Sequence, residues 1–316
     1  MSRAVVTGCA GFIGSHLTEQ LLASGWSVVG IDCLSPTYDT TRRRRVLDQM
    51  SGERDFEFIE GDIVQVDPRP LLEGADVVFH LAARPGVRAS WSDFRQASEA
   101  NILATQRLLD ALAERRGIRL VFASSSSVYG SAESFPTYEH TPLAPISPYG
   151  VTKAAGEALV GAYAAQTGLD VASLRYFTVY GPRQRSDMAF TKWISYALRS
   201  EPLPIYGDGS TVRDFTYVAD VVDATIACAT AEIRGHEAFN VAGGSPATLN
   251  EVLEILSGLL DEEIKVEYMD RERGDPDRTG GDTAKIQNAT GWQAKWDLAG
   301  GLAAQVSWLR ELLGRS

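Results

Sequence analysis

A tyrosine and a lysine four residues apart, Tyr149 and Lys153, have the types and the spacing for proton-transfer chemistry. On a helix, residues i and i+4 share a face, so the ammonium group comes close to the phenol. A nearby positive charge favours the phenolate and lowers the tyrosine pKa from its ordinary value of about 10. Such a phenol could act as a general base near neutral pH. A serine cluster, Ser124–Ser127, ends an apolar run upstream and could hydrogen-bond a substrate oxygen.

A glycine-rich turn near the N-terminus contains Gly8, Gly11 and Gly14. The surrounding pattern predicts a strand at Ala4–Val6, a helix to about Ser24 and a strand at Ser27–Ile31. A strand, glycine turn and helix of this length are typical of dinucleotide binding, because the backbone approaches the pyrophosphate and the helix N-terminus faces it. Asp32, at the end of the second predicted strand, could accept hydrogen bonds from the adenosine ribose. Its charge would repel a 2'-phosphate, which favours NAD over NADP.

Composition limits the classes of function. The chain has 316 residues, 44% of them hydrophobic and 22% charged, as expected of a globular protein with a full core. A net charge of -11 argues against nucleic acid or an anionic membrane as a general partner. Cys9, Cys33 and Cys228 lack metal-ligand spacing, so we expect no metal and three small buried side chains. With no signal peptide and no spanning apolar stretch, we expect a cytoplasmic protein.

The rest of the chain alternates between strand and helix patterns. We expect further strands at Phe56–Glu60, Val77–His80, Arg119–Ala123, Val171–Arg175, Leu203–Gly207 and Phe239–Val241. We expect helices over about Asp93–Arg116, from Ser147-Pro148 to about Gly168, and over Asp220–Thr230, Leu249–Leu260 with Thr248 as its cap, and Leu298–Leu313. Ligands of open α/β sheets bind beyond the carboxyl ends of the strands, where the serine cluster is predicted to lie.

Two features have a structural interpretation beside a functional one. The run Arg42–Arg45 could capture a 2'-phosphate or nucleic acid, but Asp32 and the net charge favour a solvated helix face. His80, at the end of a predicted strand, is interpreted as a packed residue and not as a catalytic one.

Several motifs occur in order along nearly the whole chain: Gly8-x-x-Gly11-x-x-Gly14, His80-Leu-Ala-Ala83, Tyr149-x-x-x-Lys153, Arg175–Pro182 and Arg213–Asp220. This order resembles the extended short-chain dehydrogenase/reductases, specifically the nucleotide-sugar epimerases and dehydratases. The resemblance implies an α/β fold with a Rossmann-type doubly wound parallel sheet over 1–176, to which 214–242 returns. It implies a smaller mixed α/β substrate domain from 177–213 and 243–316. It also implies a homodimer built from the helices that hold Asn101 and Tyr149.

The same resemblance implies which residues bind the cofactor and the substrate. For tightly held NAD it implies Gly8, Gly11, Phe12, Ile13, Gly14, Asp32, Asp62, Ile63, Leu81, Ala82, Ala83, Asn101, Tyr149, Lys153 and Tyr176. For a UDP-sugar it implies Arg88, Ser125, Ser126, Ser127, Tyr149, Thr178, Arg185, Ala189, Phe190, Ile205, Tyr206, Arg213 and Arg278, with Arg271 as a weaker candidate. Asp62 could equally be a surface turn residue, and Arg278 an ordinary surface arginine.

The residues beside the catalytic hydroxyl separate the chemistries of this family. Dehydratases resemble Thr-Asp-Glu and sugar-acid decarboxylases resemble Thr-Ser-Glu, whereas this chain has Ser125-Ser126-Ser127 and no carboxylate. We therefore expect epimerisation, with Ser125 in the position of the catalytic hydroxyl.

The loop from Thr178 to Phe190 and the segment Pro85–Ser90 resemble the UDP-glucuronate 4-epimerases. An arginine fork suits a planar carboxylate, so we expect Arg185, with Thr178 and Arg88, to hold the C5 carboxylate of the sugar. The resemblance implies that Tyr149 removes the 4-hydroxyl proton, Ser125 binds that oxygen, and hydride passes to NAD and returns to the other face of a 4-keto sugar. UDP-galactose or N-acetylhexosamine epimerisation, UDP-glucuronate decarboxylation and a non-catalytic NAD sensor remain as alternatives.

Overall fold

The computed structural model describes residues 2–260, 264–270 and 276–314. In it, seven strands pair in parallel as one central sheet. The strands, in chain order, are β1 (Arg3–Thr7), β2 (Ser27–Asp32), β3 (Phe56–Glu60), β4 (Val77–His80), β5 (Arg119–Ser125), β6 (Val171–Tyr176), β7 (Val179–Tyr180), β8 (Leu203–Tyr206), β9 (Val212–Asp214), β10 (Thr216–Tyr217), β11 (His236–Val241), β12 (Pro246–Thr248) and β13 (Val266–Met269). The central sheet has the order β11-β6-β5-β4-β1-β2-β3.

Helices cover both faces of this sheet, which gives the predicted doubly wound α/β architecture. They are α1 (Phe12–Ala23), α2 (Thr40–Met50), α3 (Val87–Ser92), α4 (Phe94–Ser98), α5 (Ala104–Ala113), α6 (Pro148–Thr167), α7 (Ala189–Ala197), α8 (Val218–Thr230), α9 (Leu249–Leu260), α10 (Ala284–Thr290) and α11 (Leu298–Leu312). The order of strands reverses at β1, which pairs with β2 on one side and β4 on the other. A crevice for a ligand is expected beyond the carboxyl ends of these strands.

Most predicted elements are confirmed within a few residues. β3, β4 and α9 have the predicted bounds, and β11 begins three residues earlier than expected, at His236. α9 begins with the predicted cap: Glu251 N donates to Thr248 Oγ1 at 3.1 Å, and Thr248 N donates to a Glu251 carboxylate oxygen at 2.7 Å. This reciprocal pair satisfies two N–H groups that the helix itself cannot.

Smaller two-stranded sheets follow the central one. β9 pairs with β12, β8 with β13, and β7 with β10. The division into a sheet domain over 1–176 with 214–242 and a substrate domain over 177–213 and 243–316 stays a prediction. No helix among the described residues is long and apolar enough to cross a membrane.

The long helix expected over about Asp93–Arg116 is confirmed over 94–113, but its hydrogen bonding changes in the middle. This region holds α4, a π-helical turn at Glu99–Leu103 and then α5. Asn101 lies in the π-helical turn, and its side chain bonds the backbone of Arg84 and the hydroxyl of Thr152. Because π-helical turns are often found at functional sites, the position of Asn101 is relevant to the site.

Two interpretations of surface chemistry also need correction. The arginine run lies on α2, but only Arg44 and Arg45 are exposed. Arg43 forms an ion pair with Asp32, and the Arg42 guanidinium lies 4.1 Å from the ring centroid of Trp308. Cys33 is exposed, whereas Cys9 and Cys228 are buried as expected. The partners of Arg42 and Arg43 lie elsewhere in the sequence, and the exposure of Cys33 depends on the loop after β2. A charge pattern alone could therefore not identify them.

His80 is confirmed as a packed residue. It is 1% exposed, its Nδ1 lies 2.7 Å from Thr7 Oγ1 and its Nε2 lies 3.0 Å from Thr105 Oγ1. Burial, followed by the charge of Lys153, lowers the pKa of His80 to about 3. The imidazole is therefore neutral at physiological pH and ties β1 and β4 to α5.

This burial predicts a specific acid sensitivity. Between pH 6.5 and about 3 the unfolded chain binds a proton at His80 that the folded chain excludes, so stability falls as pH falls. The loss is about 1.4 kcal/mol per pH unit in that window. A His80→Gln variant, although less stable at pH 7, should show a shallower decline of urea midpoint from pH 7 to pH 4. His140→Gln, at an exposed histidine, should keep the wild-type slope, and an unchanged slope in His80→Gln would contradict the assignment.

Candidate active site

The glycine turn between β1 and α1 is built for close backbone approach. Gly8 has φ of 74°, and a Cβ there would lie 2.8 Å from Ala82 N. A Cβ at Gly14 would lie 2.1 Å from the Gly8 carbonyl oxygen. The predicted small residues after β4 therefore sit against this turn, and larger side chains would push the two loops apart.

The N-terminus of α1 is open to an anion. Gly11 caps it without a side-chain hydrogen bond, and its first turn has no acidic residue. The first N–H groups of an α-helix, here including those of Phe12 and Ile13, have no partner within the helix and point outward along its axis. Together with the positive end of the helix dipole, these groups fit the pyrophosphate of a dinucleotide.

Asp32 lies at the end of β2 as predicted and is 6% exposed. One oxygen accepts from Ala10 N at 3.1 Å, and the other accepts from Leu34 N at 2.9 Å and from Arg43. A carboxylate offers about four acceptor positions, so one remains for a ribose hydroxyl. The residues of this half of the crevice therefore fit the adenosine part of NAD.

Other predicted cofactor residues have clear partners within the chain. Asp62 Oδ1 accepts from Val64 N at 2.9 Å in the turn after β3, and Ile63 is buried. Asn101 is 2% exposed and uses both amide hydrogens, on Arg84 O and Thr152 Oγ1. Tyr176 is buried with its hydroxyl 2.8 Å from Thr225 Oγ1 on α8. The direct contact of these side chains with a cofactor stays a prediction.

α6 presents the tyrosine and the lysine at the carboxyl end of the sheet. Ser147 caps the helix by accepting from Gly150 N at 3.1 Å, Pro148 occupies its first turn and Gly168 ends it in the left-handed conformation, as predicted. Ser90 Oγ accepts from Tyr149 N at 3.0 Å and joins α3 to this end.

The electrostatics of the pair differ from the expectation. Lys153 Nζ donates to Ala123 O at 2.7 Å at the end of β5, and burial lowers the pKa of Lys153 to about 8. Burial also raises the pKa of Tyr149, while a hydrogen bond with Ser125 and the charge of Arg185 lower it. The prediction that Lys153 lowers the Tyr149 pKa is wrong for this structure, because Lys153 is held by a carbonyl and the opposing charge is that of Arg185.

The four serines have separate roles in the structure. Ser124 is buried and donates to Glu157 beneath the site. Ser125 accepts from Ser127 N at 3.2 Å and lies close enough to Tyr149 to lower its pKa. Ser126 and Ser127 line a cavity of about 160 Å³.

This cavity brings together predicted substrate residues from distant parts of the chain. Ser126, Ser127, Thr178 and Arg213 all line it, beside Thr279, which the sequence did not single out. The Thr279 hydroxyl is buried without a hydrogen-bond partner among the described residues. Arg213 donates to Val212 O and Pro276 O, both at 2.8 Å, and so braces the loop at the cavity wall.

The two arginines expected at a carboxylate have different partners in this structure. Arg185, 20% exposed, acts electrostatically on Tyr149 and donates to both oxygens of Asp187. The Arg88 guanidinium instead lies 4.0 Å from the ring centroid of Tyr206 on β8. The binding of one carboxylate by Arg185 and Arg88 together stays a prediction.

Several predicted substrate residues lie elsewhere. The side chains of Phe190 and Ile205 are 2% and 0% exposed and belong to the core, and a contact of these residues with the substrate stays a prediction. Ala189 is exposed at the start of α7. Arg278 is exposed, with its guanidinium 4.9 Å from the ring centroid of Phe135, and Arg271 lies outside the described residues.

Two acidic residues near the site were missed by the sequence analysis. Asp214, after Arg213, accepts from Gly244 N at 3.0 Å and from Gly281 N at 3.4 Å, and burial raises its pKa to about 6. It joins two loops, which no local pattern signals. Asp187 lies two residues after Arg185, and that spacing was the available signal for a carboxylate at the arginine fork.

Comparison with known proteins agrees with this geometry. The family model described as "NAD dependent epimerase/dehydratase family" matches residues 4–242. An uncharacterized UDP-glucose epimerase, YtcB of Bacillus subtilis, is 39% identical over 98% of each chain. The UDP-glucuronate 4-epimerase of Thermodesulfobacterium geofontis is 36% identical, over 98% of this chain and 97% of its own.

A solved structure gives the same result in three dimensions. The UDP-glucuronic acid 4-epimerase from Bacillus cereus, in complex with UDP-glucuronic acid and NAD, is 37% identical and superposes with a TM-score of 0.95, covering 98% of this chain and 99% of its own. The chain is therefore a member of the NAD-dependent epimerase/dehydratase family.

Proposed function

We propose that the protein interconverts UDP-glucuronate and UDP-galacturonate by NAD-dependent 4-epimerisation. The observation that carries the choice of substrate is Arg185, a guanidinium fork whose charge reaches the Tyr149 hydroxyl. A guanidinium close enough to lower the Tyr149 pKa is placed to bind the carboxylate on the neighbouring carbon of the sugar. The named activities of the relatives from T. geofontis and B. cereus support the same substrate.

The reaction class rests on what surrounds the catalytic hydroxyl. Ser125, Ser126 and Ser127 provide hydroxyl groups and no carboxylate, and Ser126 and Ser127 line the cavity beside Thr178. Elimination of water from the sugar needs an additional acid or base at this place. The serines suit a reaction in which one proton and one hydride leave and return.

The side chains of the protein carry out proton transfer and hold the substrate in place. Bound NAD supplies a hydride acceptor that can return the hydride. Tyr149 takes the proton of the sugar 4-hydroxyl and gives it back, while Ser125 hydrogen-bonds the same oxygen. Lys153, with a pKa of about 8, is mostly protonated at neutral pH and is held by the Ala123 carbonyl at the end of β5. Arg185 holds the carboxylate out of alignment with the 4-carbonyl, which disfavours loss of CO2 from the β-keto acid.

UDP-glucose is the second candidate substrate. Asp187 already neutralises the Arg185 guanidinium through two hydrogen bonds of 2.9 Å. A neutral hexose could therefore bind without leaving an unpaired cation near Tyr149. The name of the B. subtilis relative agrees with this alternative.

A homodimer is part of the proposal. Large apolar side chains are exposed on the segments around Asn101 and Tyr149: Trp91 by 57%, Phe94 by 47%, Leu103 by 43% and Val151 by 44%. Apolar groups clustered on adjacent helices are typical of a surface that another chain covers. A two-fold axis through these helices would bury the cluster in both copies.

We also place the protein in the cytoplasm. Its three cysteines are free thiols, of which Cys33 is exposed. Exposed thiols persist in a reducing compartment.

The first prediction from the proposed function concerns Tyr149. In Tyr149→Phe, turnover of UDP-glucuronate followed by proton NMR should fall by about 100-fold to 10,000-fold, because the acid–base group is lost. Tyr163→Phe, on the same helix but bonded to Asp110, should keep wild-type activity. Tyr149→Phe activity equal to wild type would mean that another group acts as the base.

The second prediction concerns Arg185. In Arg185→Ala, kcat/KM for UDP-glucuronate should fall by about 10-fold to 150-fold, as expected for the loss of hydrogen bonds to a charged group. The kcat/KM for UDP-glucose should change by less than about threefold. Arg199→Ala, which removes an exposed arginine paired with Glu201, is the matched control. Unchanged epimerisation of UDP-glucuronate by Arg185→Ala would overturn the assignment of the substrate.

The third prediction concerns the dimer. Analytical ultracentrifugation of the wild type at micromolar concentration should give the mass of two chains. Leu103→Glu should shift the population to monomer because it buries a charge in the interface. Leu143→Glu, at a leucine that is 39% exposed outside these helices, should remain dimeric. A monomeric wild type would contradict the proposed interface.

A further inference from the structure

Arg185 is bound side-on by a carboxylate of its own loop. Nε donates to Asp187 Oδ1 and Nη2 donates to Asp187 Oδ2, both at 2.9 Å. Two parallel hydrogen bonds of this kind are the preferred geometry between an arginine and any carboxylate. Asp187 thus presents to the fork the same chemical group that the proposed uronate substrate would bring.

The two partners differ in how firmly they are held. The Arg185 side chain is 20% exposed and its guanidinium lies 5.4 Å from the ring centroid of Tyr38, whereas the Asp187 side chain is 56% exposed. Met188 N donates to Arg185 O at 3.1 Å, which places both residues in one tight turn. The carboxylate is the partner that can rotate into water while the guanidinium stays in place.

The backbone on either side of this turn is fixed by other contacts. Arg183 forms two hydrogen bonds with Glu19, at 2.8 and 2.7 Å. The Gln184 side chain accepts from Gln305 Nε2 at 2.9 Å and from Thr191 N at 3.2 Å. Release of Asp187 therefore needs a change of its side chain and no movement of the loop.

We propose that Asp187 is a specificity-determining residue that competes with the sugar carboxylate for Arg185 and so weakens uronate binding relative to neutral sugars. This inference rests on the proposed function of the site. A substrate carboxylate that takes the side-on edge displaces Asp187. One that takes the free end of the guanidinium still meets a second negative charge within a few ångströms, and like charges at that distance repel.

The ion pair between Arg185 and Asp187 also stabilises the site between turnovers, when no substrate is bound. Without Asp187, a partly buried cation would remain beside Tyr149 whenever no uronate is bound. Asp187 keeps the fork neutral in that interval and returns to it when the product leaves. The uronate gains only the difference between its own binding to Arg185 and that of Asp187. The preference in affinity for a uronate over a neutral sugar is therefore smaller than Arg185 without Asp187 would give.

The test measures binding without turnover. In a Tyr149→Phe background loaded with NAD, isothermal titration gives the Kd of UDP-glucuronate and of UDP-glucose with and without Asp187→Asn. The asparagine keeps an oxygen acceptor for Arg185 Nε but removes the charge. We expect the Kd of UDP-glucuronate to fall by about twofold to fivefold, in the range of partly exposed ion pairs. The Kd of UDP-glucose should stay constant or rise.

Glu201→Gln is the matched control. It removes the charge of an acid two residues after an arginine, at a pair with a distance of 3.0 Å that lies outside the site. It should leave both Kd values unchanged. Weaker binding of UDP-glucuronate by Asp187→Asn would show that Asp187 braces Arg185, and an unchanged ratio of the two Kd values would show that it does not compete; either result overturns the inference.

The wild-type assay separates this inference from the proposed function. If the wild type turns over UDP-glucuronate but Asp187→Asn binds UDP-glucuronate more weakly, the inference is rejected and the proposed function stands. Turnover of UDP-glucose alone rejects the proposed substrate. In that case the inference still requires Asp187→Asn to gain affinity for UDP-glucuronate, and no gain would reject it as well.

Discussion

A buried ion pair between Glu157 on α6 and Arg175 on β6 holds the catalytic helix against the sheet. The side chains are 4% and 6% exposed, and Arg175 Nη2 donates to Glu157 at 2.7 Å. Burial of two charges is costly unless their remaining hydrogen-bonding groups are satisfied. Here Ser124 donates to Glu157, and Arg175 Nη1 donates to Tyr129 Oη at 2.7 Å. The network fixes the angle and depth of α6, and with it the place of Tyr149.

The ion pair also shapes the charge of the site above it. Glu157 raises the pKa of Lys153 against the effect of burial, so the ammonium group persists beside the Ala123 carbonyl. Asn101 connects the other side of α6 to the loop after β4 through Thr152 and Arg84. The helix that carries the acid–base group is thus tied to the loops expected to hold the cofactor, and cannot shift without disturbing them.

Local features were predictable because their causes lie within a few residues. The glycine turn, the Ser147-Pro148 start of α6 and the Thr248 cap of α9 each follow from backbone geometry or from a hydrogen bond at short sequence separation. The succession of strands and helices along the chain followed from the alternating strand and helix patterns. The same reasoning found the helix over 93–116 but not its π-helical turn, where the Asn101 side chain bonds Arg84 and Thr152, partners that are close only after folding.

The sequence by itself therefore determined the α/β class and the glycine turn, and it predicted the serine, tyrosine and lysine set. Only the tertiary structure decided which charge faces which. In the folded chain Arg43 pairs with Asp32 and Arg185 with Asp187. Lys153 donates to the Ala123 carbonyl, and Phe190 is buried in the core. The physical reason is that the pKa of a group and the availability of a guanidinium depend on distance and desolvation, which arise from contacts between segments far apart in the chain.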